Sequence, residues 1–136
     1  MITAVDTSVL VDVLTDDETF GAASAQALAD AVLAGGVVAC DVVWAETAAG
    51  FAELDAFRET MDELGVLFSP SETATAEAAS AAWRAYRIGG GAGGRIVSDF
   101  LIGAHALVQT DRLLARDRGF YRGYFRDLAI VEPSGS

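Results

Sequence analysis

The chain has 136 residues, is 52% hydrophobic and has a mean hydropathy of +0.35. That composition suits one folded domain over residues 1–136 and excludes a disordered polymer. Nine basic residues, all arginine, face twenty acidic ones, for a formal net charge of −11. A chain this acidic repels phosphate, so capture of nucleic acid by bulk attraction is excluded. Residues 1–68 hold thirteen acids and one base, Arg58, a net of −12, and residues 69–136 hold seven acids and eight arginines, a net of +1. The asymmetry points either to separate surfaces for separate partners or simply to a solvated acidic face.

Ile2–Val5 is an apolar run that reads as a first strand, and Asp6 after it can cap a helix over Thr7–Leu14. Val37–Cys40 reads as a second strand; Cys40 is the only cysteine, and its apolar setting makes it a core thiol rather than a nucleophile. Asp41 and Glu46 follow, with Glu46 about a turn into a helix and with Val42, Val43, Trp44 and Ala45 suggesting a buried setting for it. Leu54, Phe57, Met61 and Leu64 recur at helical spacing, with Glu53, Asp55, Glu59 and Asp62 facing away. Val66–Phe68 is a third strand, and Ala78, Ala81, Ala82 and Ala85, followed by Ile88, form another apolar helical stripe. The glycine-rich run Gly89–Gly94 reads as a flexible loop. Ser98 is a candidate N-cap for a helix lined by Leu101, Gly103, Ala104 and Leu107. Arg112–Ala115 and Leu128–Val131 complete the strands, and Pro133–Ser136 is expected to fray. Strands without polar alternation, separated by helices, predict an α/β sandwich with a mostly parallel sheet covered on both faces.

No basic segment and long apolar stretch opens the chain, so no signal peptide is expected. The longest uncharged runs, Thr19–Ala29 and Phe100–Thr110, are eleven residues each and too short to span a membrane. The expected setting is cytoplasmic.

In an open parallel sheet, ligands bind beyond the carboxyl ends of the strands. Asp6 follows the first strand, Glu46 lies beyond the second, Asp99 opens a helix and Asp117 follows the strand at Arg112–Ala115. Carboxylates gathered there repel by about 4 kcal/mol per pair at 4 Å and an effective dielectric near 20, so they call for protons or cations. Hard oxygen ligands suit Mg²⁺ or Mn²⁺, and such an ion activates water and offsets charge on phosphate. A structural role competes for each residue: a cap for Asp6, a helix-dipole contact for Asp99, a solvated helix position for Glu46, and an ion pair with Arg116 or Arg118 for Asp117. Each suffices singly; all four at one sheet edge point to chemistry.

Four segments carry a resemblance: Val5-Asp6-Thr7-Ser8-Val9-Leu10, Val43-Trp44-Ala45-Glu46, Ser98-Asp99-Phe100-Leu101-Ile102-Gly103-Ala104-His105-Ala106 and Leu114-Ala115-Arg116-Asp117-Arg118-Gly119-Phe120-Tyr121. In this order they resemble the motifs of PIN-domain ribonucleases, in particular VapC-type toxins of bacterial toxin–antitoxin pairs. The resemblance spans nearly the whole chain. It implies a PIN-like three-layer sandwich of about five parallel strands flanked by helices. It also implies an acidic pocket holding Mg²⁺ or Mn²⁺, with Asp6, Glu46, Asp99 and Asp117 as its metal-site and catalytic carboxylates. Asp6 and Asp99 would bind directly, Glu46 and Asp117 through water, and Thr7 would orient the site. An activated water would hydrolyse an RNA phosphodiester bond with no covalent enzyme intermediate. A cognate VapB-like antitoxin would inhibit by inserting a segment into the pocket, and a homodimer is implied. The chain departs from the family at Gly89–Gly94, where a less glycine-rich approach to Arg95 is expected.

Around Asp117, Arg112, Arg116, Arg118, Arg122 and Arg126 interleave with Phe120, Tyr121, Tyr124 and Phe125. This pattern suits RNA phosphate contacts, with Arg116 and Arg118 foremost, and stacking of an unpaired base. The competing role is an ion network with Asp111, Asp127 and Glu132. The dinucleotide pattern within Gly89–Gly94 lacks the strand it must follow, and a chain without lysine has no Walker A motif. The single histidine, His105, reads as a packing or surface residue, and one His with one Cys supports neither a zinc site nor a Cys–His pair. Two rival functions stand: a non-catalytic PIN-like protein-binding module, and a metal-dependent nuclease acting on DNA.

Overall fold

A computed structural model describes residues 1–91, 97–117 and 119–134. In chain order the elements are β1 (Ile2–Val5), α1 (Thr7–Leu14), α2 (Gly21–Leu33), β2 (Gly36–Ala39), α3 (Asp41–Ala48), α4 (Leu54–Leu64) and β3 (Val66–Phe68), then α5 (Thr73–Ile88), α6 (Val97–Gln109), β4 (Arg112–Leu114), α7 (Phe120–Tyr124) and β5 (Ile130–Val131). The five strands form one sheet in the order β3-β2-β1-β4-β5, and every pairing is parallel. Thr3 at its centre pairs with Val37 on one side and Arg112 on the other.

From β1 the chain steps outward to β2 and β3, then returns through α5 and α6 to enter on the far side at β4. Right-handed crossovers therefore assign α1–α4 to one face of the sheet and α5–α7 to the other. The reversal leaves a topological switch point between β1 and β4, where a crevice opens beyond the strand ends. This is the expected α/β sandwich, with a sheet that is parallel throughout.

Several boundaries move for local reasons. Cys40 lies outside β2: it is the N-cap of α3, with φ −71° and ψ 171°, and stays buried. Ala115 leaves β4 but still donates its N–H to Val131. Leu128 is buried on a turn closed by its N–H to Phe125, so β5 shrinks to its last two residues. Ser98 lies inside α6, which already includes Val97, so it is not the cap. The inward face of α5 is Thr75, Ala79 and Ala82, not the stripe through Ala81 and Ala85, both of which are exposed. Gly65 ends α4 at φ 78°, a left-handed turn that glycine adopts without strain.

The core runs along both faces of the sheet. Phe100 on α6 is fully buried and meets Trp83, Tyr86, Phe120 and Tyr124, with ring centroids 5.1–6.2 Å away. Phe125 packs against α6 at Gly103, where any Cβ would overlap its ring. Burial of such a ring contributes about 1.5–3 kcal/mol. The aromatics after Asp117 thus hold α7 onto α6. Phe120, Tyr121 and Phe125 are buried, so much of the aromatic surface of this segment goes into packing, while Phe120 and Tyr121 also line the cavity at the carboxyl ends of the strands. His105 is also a packing residue: it is buried on α6, with Nε2 3.0 Å from the Ser69 hydroxyl. Among the described residues no helix is long and apolar enough to cross a membrane.

Candidate active site at the carboxyl ends of the strands

Asp6, Glu46, Asp99 and Asp117 all line one cavity of about 300 Å³, together with Thr7, Ser8 and Arg116. It lies where the topology opens the crevice. Asp6 ends β1, Asp117 follows β4 across the switch point, Asp99 stands in the first turn of α6, and Glu46 reaches in from α3. A larger depression of about 630 Å³ on α5 is lined by Ser80, Trp83, Arg84, Arg87 and Ile88, with no carboxylate, thiol or imidazole among its described lining residues.

Asp6 occupies the N-cap position of α1, with φ −80° and ψ 150°, but its carboxylate makes no capping bond. It accepts instead the Ser8 hydroxyl at 3.1 Å and faces the cavity. Burial raises its pKa above the ordinary 3.8; the Ser8 hydrogen bond pulls it back, and the charges of Asp99 and Glu46 push it up. The three carboxylates therefore share one field.

Glu46 is exposed at the cavity rim, not buried as its apolar neighbours suggested. The inward face of α3 is set by Val43 and Thr47, and Glu46 lies off it. Thr7 holds it in place, donating its hydroxyl to Oε1 at 2.7 Å.

Asp117 is tied down most firmly. Its Oδ1 accepts the N–H groups of Gly119 and Tyr121 at 3.0 and 3.1 Å, and its Oδ2 accepts the Arg122 N–H at 3.0 Å. The Arg122 guanidinium lies 3.4 Å from Oδ2 and 3.1 Å from Glu132. The side chain is only 1% exposed, so Asp117 organises the start of α7 as well as facing the cavity. Its expected partner Arg116 pairs instead with Asp12 at 2.8 Å. Arg118 lies outside the described residues, as do residues 92–94 of the glycine run, Arg95, and residues 135–136 of the tail.

Sequence reasoning did not find Ser8, Asp12, Ser24 or Phe20. Asp12 carried a signal: it is a carboxylate close to Val9 on the inward face of a short apolar helix, and such a group needs a buried partner. The arginines concentrated in the second half of the chain were the available supply.

The donors facing the cavity are carboxylate and hydroxyl oxygens, which fit a hard divalent cation rather than a zinc-type ion. Among the described residues no group of three or more His, Cys, Asp or Glu side chains is arranged to hold a metal ion. An ion that keeps much of its water needs few protein ligands, and the raised pKa of Asp6 marks a carboxylate that a cation would relieve.

Three comparisons bear on this geometry. The chain resembles one in the crystal structure of VapBC2 from Rickettsia felis, solved bound to a DNA fragment from their promoter, with TM-score 0.76 and 15% identity over 98% of this chain and 100% of that one. It resembles one in VapBC-1 of nontypeable Haemophilus influenzae, with TM-score 0.72 and 16% identity over 97% and 98% of the two chains. A chain in FitAcB from Neisseria gonorrhoeae gives TM-score 0.71 and 19% identity over 98% of each. At these identities the likeness is one of fold. No curated protein matches the chain by sequence. The model of the PIN domain matches residues 3–126, a span that contains all four cavity carboxylates, and the chain belongs to the PIN domain family.

Proposed function

We propose that this protein is an endoribonuclease toxin that hydrolyses RNA phosphodiester bonds with Mg²⁺ or Mn²⁺ and is held in check by a VapB-like antitoxin. One observation carries the reading: Asp6, Glu46, Asp99 and Asp117, from four separate segments, line a single cavity at the switch point of a parallel sheet. When bound, a divalent cation supplies activation of water and offsets charge on phosphate. Asp6 and Asp99 hold it directly. Glu46, fixed by Thr7, and Asp117, already engaged by three N–H groups, act through water. Arg116 and Arg118 hold the strand. One structural neighbour is a toxin–antitoxin complex from Klebsiella pneumoniae, and the acidic first half of this chain suits an arginine-bearing inhibitory segment. A homodimer and a cytoplasmic place of action belong to the same reading.

The test is cleavage of end-labelled RNA and of DNA of the same sequence, with Mg²⁺, with Mn²⁺ and with chelator. RNA cleavage that requires the metal and disappears in Asp6→Asn is the expected result. Cleavage of DNA alone makes this a deoxyribonuclease. Absence of cleavage, with no effect of either metal on the unfolding midpoint, makes it a binding module. Sedimentation of the purified protein checks the dimer.

A further inference from the structure

Arg116 is held by residues to which nothing above gives a role. Its Nε and Nη2 donate side-on to Oδ2 and Oδ1 of Asp12, at 2.8 and 3.0 Å. Asp12 stands on α1 with its side chain 5% exposed, and its Oδ2 also accepts the hydroxyl of Ser24, on α2, at 2.9 Å. Phe20, between the two helices, lies under the guanidinium, with Cζ 4.1 Å from the ring centroid. One edge of the guanidinium is thus fixed by Asp12 and one face by Phe20, with Ser24 holding Asp12 in turn. Nη1 makes no hydrogen bond to another described residue, and Arg116 is among the residues that line the cavity with Asp6.

Stability alone does not explain this arrangement. Desolvating a buried ion pair costs much of what the pair returns, and apolar residues of like volume often serve as well. Orientation does explain it. A loose arginine beside several carboxylates would fold onto them and fill the site. Asp12 supplies the competing anion and keeps one edge of the fork turned away, while the planar guanidinium retains donors shaped for a phosphate.

We propose that Asp12 is a positioning residue: with Ser24 and Phe20 it holds Arg116 so that the remaining donors grip a phosphate of the bound strand. The inference rests on the nuclease reading of this cavity and deepens it. A grip on a phosphate away from the reacting bond would be the same before and during reaction, so the proposal places its effect on substrate binding and not on the chemical step.

The test uses the full chain and a short single-stranded oligoribonucleotide. Cleavage is followed over a range of RNA concentrations and of KCl, for wild type, Asp12→Asn and the neutral pair Asp12→Asn/Arg116→Gln, which leaves no buried charge unpaired. Both variants are expected to raise KM about tenfold, the scale of one charge-assisted hydrogen bond, with kcat within about twofold. The neutral pair should also flatten the dependence of log KM on log salt by about 0.7, the loss of one phosphate contact on a single strand. Anisotropy of labelled RNA in an Asp6→Asn background reads the same contacts without cleavage. If wild type fails to cleave, the nuclease reading falls, and a matching loss of RNA binding in that background still supports the positioning role. A lowered unfolding midpoint in Asp12→Asn with unchanged KM and RNA affinity overturns it. Should Asp12→Asn not fold, the neutral pair decides alone, and wild-type KM and salt dependence in it overturn the proposal.

Discussion

Thr7 and Glu46, thirty-nine residues apart, are joined by a hydrogen bond of 2.7 Å from the threonine hydroxyl to Oε1. The first residue of α1 thereby fixes an exposed carboxylate that α3 by itself leaves on the rim. An exposed glutamate without this bond samples several rotamers, and few of them face Asp6. Thr7→Val keeps the branched shape and removes the donor. It is expected to slow RNA cleavage about tenfold while changing stability by about 1 kcal/mol or less. Thr7→Ser, which restores the hydroxyl, should recover most of the rate. Equal rates for the valine and serine variants would show that the bond does not position Glu46.

Asp6 works against folding at neutral pH. Burial raises its folded-state pKa above the 3.8 of the unfolded chain, and Asp99 and Glu46 add to the shift. Between those two values the folded form binds more protons, so stability present below pH 3.8 is lost as pH rises through the folded pKa. Asp6→Asn removes the charge and keeps the shape. Its unfolding midpoint at pH 7 is expected to exceed that of wild type, with the difference closing as the pH falls towards 3.8. Mg²⁺ should raise the wild-type midpoint more than that of Asp6→Asn. Thermal scans across pH check both, and a lower midpoint for Asp6→Asn at pH 7 would show that the Asp6 charge does not oppose folding.

Asp117 joins the site to its scaffold. It accepts three backbone N–H groups at the start of α7 and faces the same cavity as Asp6. Asp117→Asn turns an amide donor towards some of these N–H groups. A loss of about 1 kcal/mol in urea unfolding is expected, because the N–H groups of Gly119 and Arg122 are exposed and water replaces part of what they lose. Cleavage should fall as well, because α7 carries the rings that seat against Phe100 on the helix of Asp99. Asp99→Asn should lower cleavage as well. Unchanged stability in Asp117→Asn would remove its anchoring role.

The fold was legible because a parallel sheet covered on both faces needs short runs of apolar residues, and each such run here is a strand at or near its expected place. The strand ends shifted where a cap or turn claimed a residue, as at Cys40 and Leu128. The four carboxylates stood out because each follows a strand or sits on a helix near the carboxyl edge, where chain position alone brings them together.

What depends on neighbours far along the chain was not legible. Arg116 and Asp12 are separated by 104 positions, and either could have met another partner until β4 was laid beside β1. The rings after Asp117 carry the same residue types whether they stack on a base or on Phe100, and the contacts of Phe120 and Tyr124 with Phe100 arise only from the docking of α7 on α6. Thus the sequence by itself determined which residue types stand at the strand ends, since periodicity and capping act over a few positions. Tertiary structure alone decided the burial that lifts the pKa of Asp6, the exposure of Glu46 and the grip on Arg116, because desolvation and ion pairing depend on which surfaces meet across the sheet.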